Sequence, residues 1–181
     1  MERELKYIKM KKEELTALYA RLTELKELDE EGNVYGGSAS IDADWYVLDD
    51  FLEQLPKLYK EVPDWVNAYY QVYMWEFQAF YEGLFGYYVN FYKSTDYDSI
   101  QKTARYLSEN GYEAIAECYN YAMFDAGKFP ESEKWLPEWP DEIYEKVIYA
   151  ENWIENHQIE IRDFFFDVLF RHQDELMGMC E

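Results

Sequence analysis

The chain has 181 residues and a mass of 22.0 kDa, enough for one domain or one domain with a helical arm, so a disulfide framework is unnecessary. Its 17 basic and 38 acidic side chains leave a formal net charge of -21, a field that repels nucleic acid and anionic membrane and attracts basic partners. Charged residues directly after Met1 read against a signal peptide, no apolar run approaches the roughly 20 residues a bilayer demands, and Cys118 and Cys180 read as reduced thiols; the expectation is a cytoplasmic protein with no membrane segment.

In chain order, Leu15, Leu18, Leu22 and Leu25, preceded by Leu5 and Ile8, form a one-sided apolar stripe that predicts a long amphipathic helix over 4–29. It should pack on the body of the protein, a homodimeric coiled coil being the alternative. Gly32, Asn33, Gly36, Gly37, Ser38 and Ser40 then form a flexible-looking stretch. The division that follows is an N-terminal helix over 1–30, a linker over 31–41 and an acidic helical domain over 42–181. Asp42 offers an N-cap for a helix running to about Leu55, where Pro56 interrupts it. Val62-Pro63-Asp64 starts the next, with Val66, Tyr69, Tyr70, Tyr73, Phe77, Phe80 and Tyr81 at helical spacing. Gly83 and Gly86 break or bend it, leaving 84–92 as a short apolar segment inserted in the core. Ser94-Thr95-Asp96 caps a helix over 97–109, Asn110-Gly111 is a turn, and a further helix runs over 112–125 to a stop at Gly127. Pro130, Pro137 and Pro140 mark an irregular acidic loop, and Asp141-Glu142 opens the last helical region, broken near 152–156 and ending close to Met177. No alternating strand pattern occurs, so the expected class is all-α, a single helical domain of about six to seven helices.

Motifs for catalysis are missing from this pattern. His157 and His172 have no His-x-x-x-His or Cys-x-x-Cys companion, and Ile154 and Leu169 stand where a di-iron helix needs glutamate, so neither a metal nor another cofactor is expected; His157 with Glu160 reads as an exposed helical turn. The glycines form no phosphate loop, and acidic Glu117 beside Cys118 opposes a reactive thiolate. The expectation is a protein that is not an enzyme.

Two features remain. Thirteen aromatic residues lie between Trp65 and Tyr92, more than one helical face can hide, so some are available to an interface. The acids are also unevenly spread: residues 1–26 carry seven basic and five acidic groups, so 27–181 carry 10 against 33, a net of -23. Over the roughly 9,300 Å² expected for this mass, that is about one charge per 400 Å², against about one per 100 Å² on duplex DNA. Mimicry of nucleic acid therefore requires gathering on one face. Candidates are Glu27, Asp29, Glu30, Glu31, Asp42, Asp44, Asp49, Asp50 and Glu53 in one stretch, and Glu131, Glu133, Glu138, Asp141, Glu142 and Glu145 in another. Acids three or four apart on a helix lie about 5–6 Å from one another, close to phosphate spacing.

The segment Glu82-Gly83-Leu84-Phe85-Gly86-Tyr87-Tyr88-Val89-Asn90 resembles the core motif of a bacterial family of small acidic helical proteins of unknown function that includes DNA-mimic proteins. Gly83, Leu84, Tyr87, Tyr88 and Asn90 match it, whereas Gln78 replaces an acid, Glu82 stands where the first of two glycines belongs, and Gly86 replaces a glutamine. The stretch from Thr103-Ala104-Arg105-Tyr106-Leu107 to Gly111-Tyr112-Glu113-Ala114 is similar to the family's second signature, the likeness spanning about 60–177. It implies a helical fold and a protein of bacterial or phage origin that occupies a DNA-binding surface. The expected function is thus an inhibitor of a basic nucleic-acid-binding protein, either a transcription regulator or a defence nuclease, without direct contact to nucleic acid or membrane. An immunity or antitoxin-type protein that blocks a basic toxin is one alternative, and a small-molecule-binding or enzymatic helical domain is another.

Overall fold

A computed structural model describes residues 11–30, 55–59, 61–81, 83–94, 97–125 and 139–180, and among these all regular structure is α-helical. The helices are α1 Lys12–Glu30, α2 Leu55–Leu58, α3 Asp64–Tyr81, α4 Leu84–Ser94, α5 Tyr97–Glu109, α6 Glu113–Ala122, α7 Asp141–Asn156, α8 Gln158–Arg171 and α9 Gln173–Gly178. The predicted all-α class is therefore what forms. Packing divides the chain into two units, one of 1–63 with 165–181 and one of 64–164, the second boundary falling inside α8.

In the first unit the apolar stripe of α1 finds its cover within the chain. Leu15, Leu18 and Leu22 are buried, and so is Tyr19, which lies one turn from Leu15 and Leu22 on the same face. Full burial of a leucine contributes about 1.5–3 kcal/mol, so these positions anchor the helix. Tyr19 donates its hydroxyl proton to the carbonyl oxygen of Leu169 at 2.8 Å and packs edge-on against Phe170 at 5.7 Å. Burial raises the Tyr19 pKa well above its usual value, which keeps that donor protonated. In the same unit, Glu175 accepts from the Tyr59 hydroxyl at 2.9 Å and lies 3.1 Å from His172 Nδ1. The helical turn α2 contains Pro56, and the helix expected from Asp42 to about Leu55 lies, but for Leu55, outside the described residues. Leu5, Ile8, Asp42 and the linker over 31–41 lie outside the described residues.

The second unit is built around α3, which packs against α4, α5 and α7. Trp65, Val66, Ala68, Tyr69, Val72 and Trp75 form its buried face, joined by Leu84, Tyr87 and Tyr88 of α4, Ile100 and Leu107 of α5, Ile115 and Tyr119 of α6, and Val147, Ala150 and Ile154 of α7. The stripe expected on this helix turns out to be shifted. Val66 and Tyr69 are buried, but Phe80 and Tyr81 are 51% and 74% exposed, while Gln71 and Gln78 are inside. Aromatic residues occur on more than one side of this helix, so periodicity could not select the inner face. Gln71 accepts a hydrogen bond from Tyr87 at 2.6 Å, which offsets the cost of burying its amide.

Gly83 ends α3 with a φ of 83°, a left-handed conformation that glycine adopts without steric cost. Gly86, predicted to be a second break, lies inside α4. The segment 84–94 is thus a helix whose Leu84, Tyr87 and Tyr88 do enter the core, as the apolar pattern suggested. Gly111 makes the expected turn at φ 88°. Helix α6 stops at Ala122, three residues short of the predicted end, because Met123 is extended and turns Phe124 into a cluster with Tyr88 at 4.6 Å and Trp139 at 5.1 Å. The break in the last helical region falls at His157, just past the expected 152–156, where the ring stacks on Trp153 at 4.2 Å and Nδ1 meets the Trp153 carbonyl oxygen at 2.8 Å.

Candidate functional site: an acidic and aromatic helix face

The glycine-aromatic motif of α4 serves the fold. Leu84 N–H donates to Glu151 Oε1 of α7 at 2.8 Å, so a carboxylate from another helix caps the start of α4, where the helix dipole favours negative charge. A Cβ on Gly83 would approach the same oxygen to 3.1 Å, a close contact that adds to the backbone reason for glycine. Tyr87 and Tyr88 are fully buried, and the Tyr87 and Tyr119 hydroxyls meet at 2.5 Å. Since the Tyr87 proton is committed to Gln71, Tyr119 is the donor between the two hydroxyls. Burial raises the pKa of both tyrosines, and the chain Tyr119, Tyr87, Gln71 ties α6 to α4 to α3. In the second signature, Asn67 of α3 donates to Thr103 Oγ1 at 3.1 Å and to the Ser99 carbonyl at 3.0 Å, again linking helices.

Reactive groups are equally bound into the fold. Cys118 is buried, and desolvation, not the exposed Glu117 beside it, pushes its thiol up to about 12. Among the described residues no group of three histidine, cysteine or carboxylate side chains is arranged to hold a metal. His157 is held by Trp153, and His172 by Glu175, so neither histidine stands with Glu160 as a site.

Of the acidic candidates, Asp141, Glu142 and Glu145 lie exposed on the first turns of α7. Glu27, Asp29 and Glu30 belong to α1, whose side chains there are outside the described residues, as are Glu31, Asp42, Asp44, Asp49, Asp50, Glu53, Glu131, Glu133 and Glu138. Helix α6 packs against α7 and adds acids that the sequence reading passed over. Glu113, Glu117 and Tyr121 are exposed at successive four-residue steps along α6. Glu145 and Tyr149 are exposed at the same spacing on α7. The two tyrosines, 49% and 52% exposed, meet edge-to-face with ring centroids 5.0 Å apart, which joins both stripes into one surface. Lys146 lies on this surface, 2.7 Å from Glu142 Oε1 and with its ammonium 5.8 Å from the Tyr121 ring centroid. Its pairing lowers the Glu142 pKa and raises its own.

The face could have been found from sequence. Glu117/Tyr121 and Glu145/Tyr149 each place an acid and an aromatic one turn apart on a helix, a pattern visible once both helices are assigned. What no pattern gives is that α6 and α7 are neighbours. Glu151, on the same helix as Glu145, is half-buried as the cap of α4. Among the described residues no helix is long and apolar enough to cross a membrane. No family model, no curated protein and no solved structure matches the chain.

Proposed function

We propose that this chain is an acidic binding protein that occupies the basic nucleic-acid-binding surface of another protein, a transcription regulator or a defence nuclease. The observation that carries the reading is the α6–α7 face, where Glu113 and Glu117 of α6 and Glu142 and Glu145 of α7 are exposed on the two helices that an exposed tyrosine pair joins. Carboxylates one helical turn apart, about 5–6 Å, approach the spacing of phosphates and compete for the same lysines and arginines. The tyrosines add contact area of the kind that anchors protein interfaces. Residues 64–164 carry 19 acidic and 7 basic side chains, a net of -12, so the field around this face favours a basic partner at long range.

The experiment is capture of partners from the source organism on the immobilised chain, washed at graded salt, followed by competition between the chain and nucleic acid for the captured protein. The proposal expects a basic protein released steeply by salt and a nucleic-acid complex that the chain dissolves competitively. Capture that is equal at low and high salt, or a partner whose nucleic acid stays bound, contradicts it. A captured toxin whose active site is blocked would instead favour the immunity-protein reading, which uses the same charge on a narrower target.

A further inference from the structure

Tyr121 and Tyr149, whose rings meet, are each about half exposed. Covering such rings is favourable, yet a purely apolar occupant would desolvate the neighbouring carboxylates of Glu117 and Glu145. The fitting occupant brings a flat apolar face together with positive charge. The chain already sets a cation there: Lys146 lies over Tyr121 while paired with Glu142. An ammonium on a flexible stem supplies charge but no plane. A guanidinium supplies both, stacking on a ring while pairing a carboxylate through two parallel N–H bonds.

We infer that this face takes an arginine side chain of a basic partner, stacked on one ring of the Tyr121–Tyr149 pair with Glu142 and Glu145 as its carboxylates, and that Lys146 is a tethered competitor filling the place in the free protein. The inference rests on the acidic-binding reading above and narrows the partner from any basic surface to an arginine-bearing one. The competitor is held loosely, because the Glu142 side chain is 78% exposed and such ion pairs contribute little. Lys146 can therefore yield to an incoming arginine.

Titration of the full chain with deca-arginine and deca-lysine peptides tests this. The wild type is expected to bind the arginine peptide more tightly. Tyr121→Leu with Tyr149→Leu should abolish the difference, lowering arginine-peptide affinity by about two- to fivefold per ring, the size of an exposed cation–π contact, with less effect on lysine peptide. Tyr121→Phe, which keeps the ring, should retain the preference, and Lys146→Met should raise arginine-peptide affinity severalfold. Equal binding of the two peptides, or a preference that survives the double leucine variant, overturns the inference while leaving the acidic-binding reading intact. Binding of neither peptide overturns both.

Discussion

Gly83→Ala probes the contact that joins α3, α4 and α7. Glycine at φ 83° avoids the left-handed penalty, about 1–2 kcal/mol for a residue with a Cβ. A methyl group there would also lie 3.1 Å from Glu151 Oε1, the oxygen that accepts from Leu84 N–H at 2.8 Å. Relieving that contact moves the carboxylate away from a charge-assisted hydrogen bond that contributes about 1.5–3 kcal/mol when intact. Gly111 is the internal control: its φ is 88°, and nothing lies within 4 Å of the Cβ that alanine would add. The expected losses are about 1–2 kcal/mol for Gly111→Ala and about 2–4 kcal/mol for Gly83→Ala. In a Glu151→Ala background the Gly83 substitution should cost only the Gly111 amount, since no cap is left to displace. Urea denaturation followed by circular dichroism gives these values, and thermal midpoints should fall by roughly 4 °C or more per kcal/mol for a unit of about a hundred residues. Equal losses at the two glycines, or strict additivity with Glu151→Ala, would refute the cap.

Tyr87→Phe should destabilise the protein by about 1–3 kcal/mol, because it strands the Gln71 amide oxygen and the Tyr119 hydroxyl in the core; a loss below a few tenths, measured by denaturation, would contradict the network. Tyr87, Tyr88 and Tyr119 have folded pKa values raised above the ordinary 10.0, so their contribution is complete below pH 10 and is lost as pH rises beyond it. Each such group tilts stability by about 1.4 kcal/mol per pH unit there, so tyrosinate absorbance from these three should appear together with unfolding and not before it. Thiol labelling at neutral pH should modify Cys180 ahead of Cys118, whose buried thiol is pushed up to about 12 and should react only on unfolding; rapid labelling of both would contradict the burial.

Local signals carried much of the helical pattern. Pro63-Asp64, Asn110-Gly111 and Asp141-Glu142 marked helix boundaries correctly, since turn and cap chemistry depends on neighbours in sequence. The inner face of α3 was not legible, because its apolar residues exceed what one face holds and the burial of Gln71 depends on Tyr87, sixteen positions away. The acidic candidates could be named by charge alone, but charge does not distinguish an acid such as Glu151, which caps a helix, from Glu142 and Glu145, which are exposed. Glu113 and Glu117 were passed over because they lie outside the densest acidic runs. They join the others only through the contact of Tyr121 with Tyr149.

The most direct measurement is the affinity for the captured basic partner, at rising salt, of the wild type and of a variant in which Glu113, Glu117, Glu142 and Glu145 are all glutamine. Exposed ion pairs contribute about 0.2–1 kcal/mol each, so affinity should fall by roughly four- to several-hundred-fold, with a flatter dependence on salt and an unchanged fold. Unchanged affinity, or a salt dependence as steep as that of the wild type, would mean that the α6–α7 face does not engage the partner.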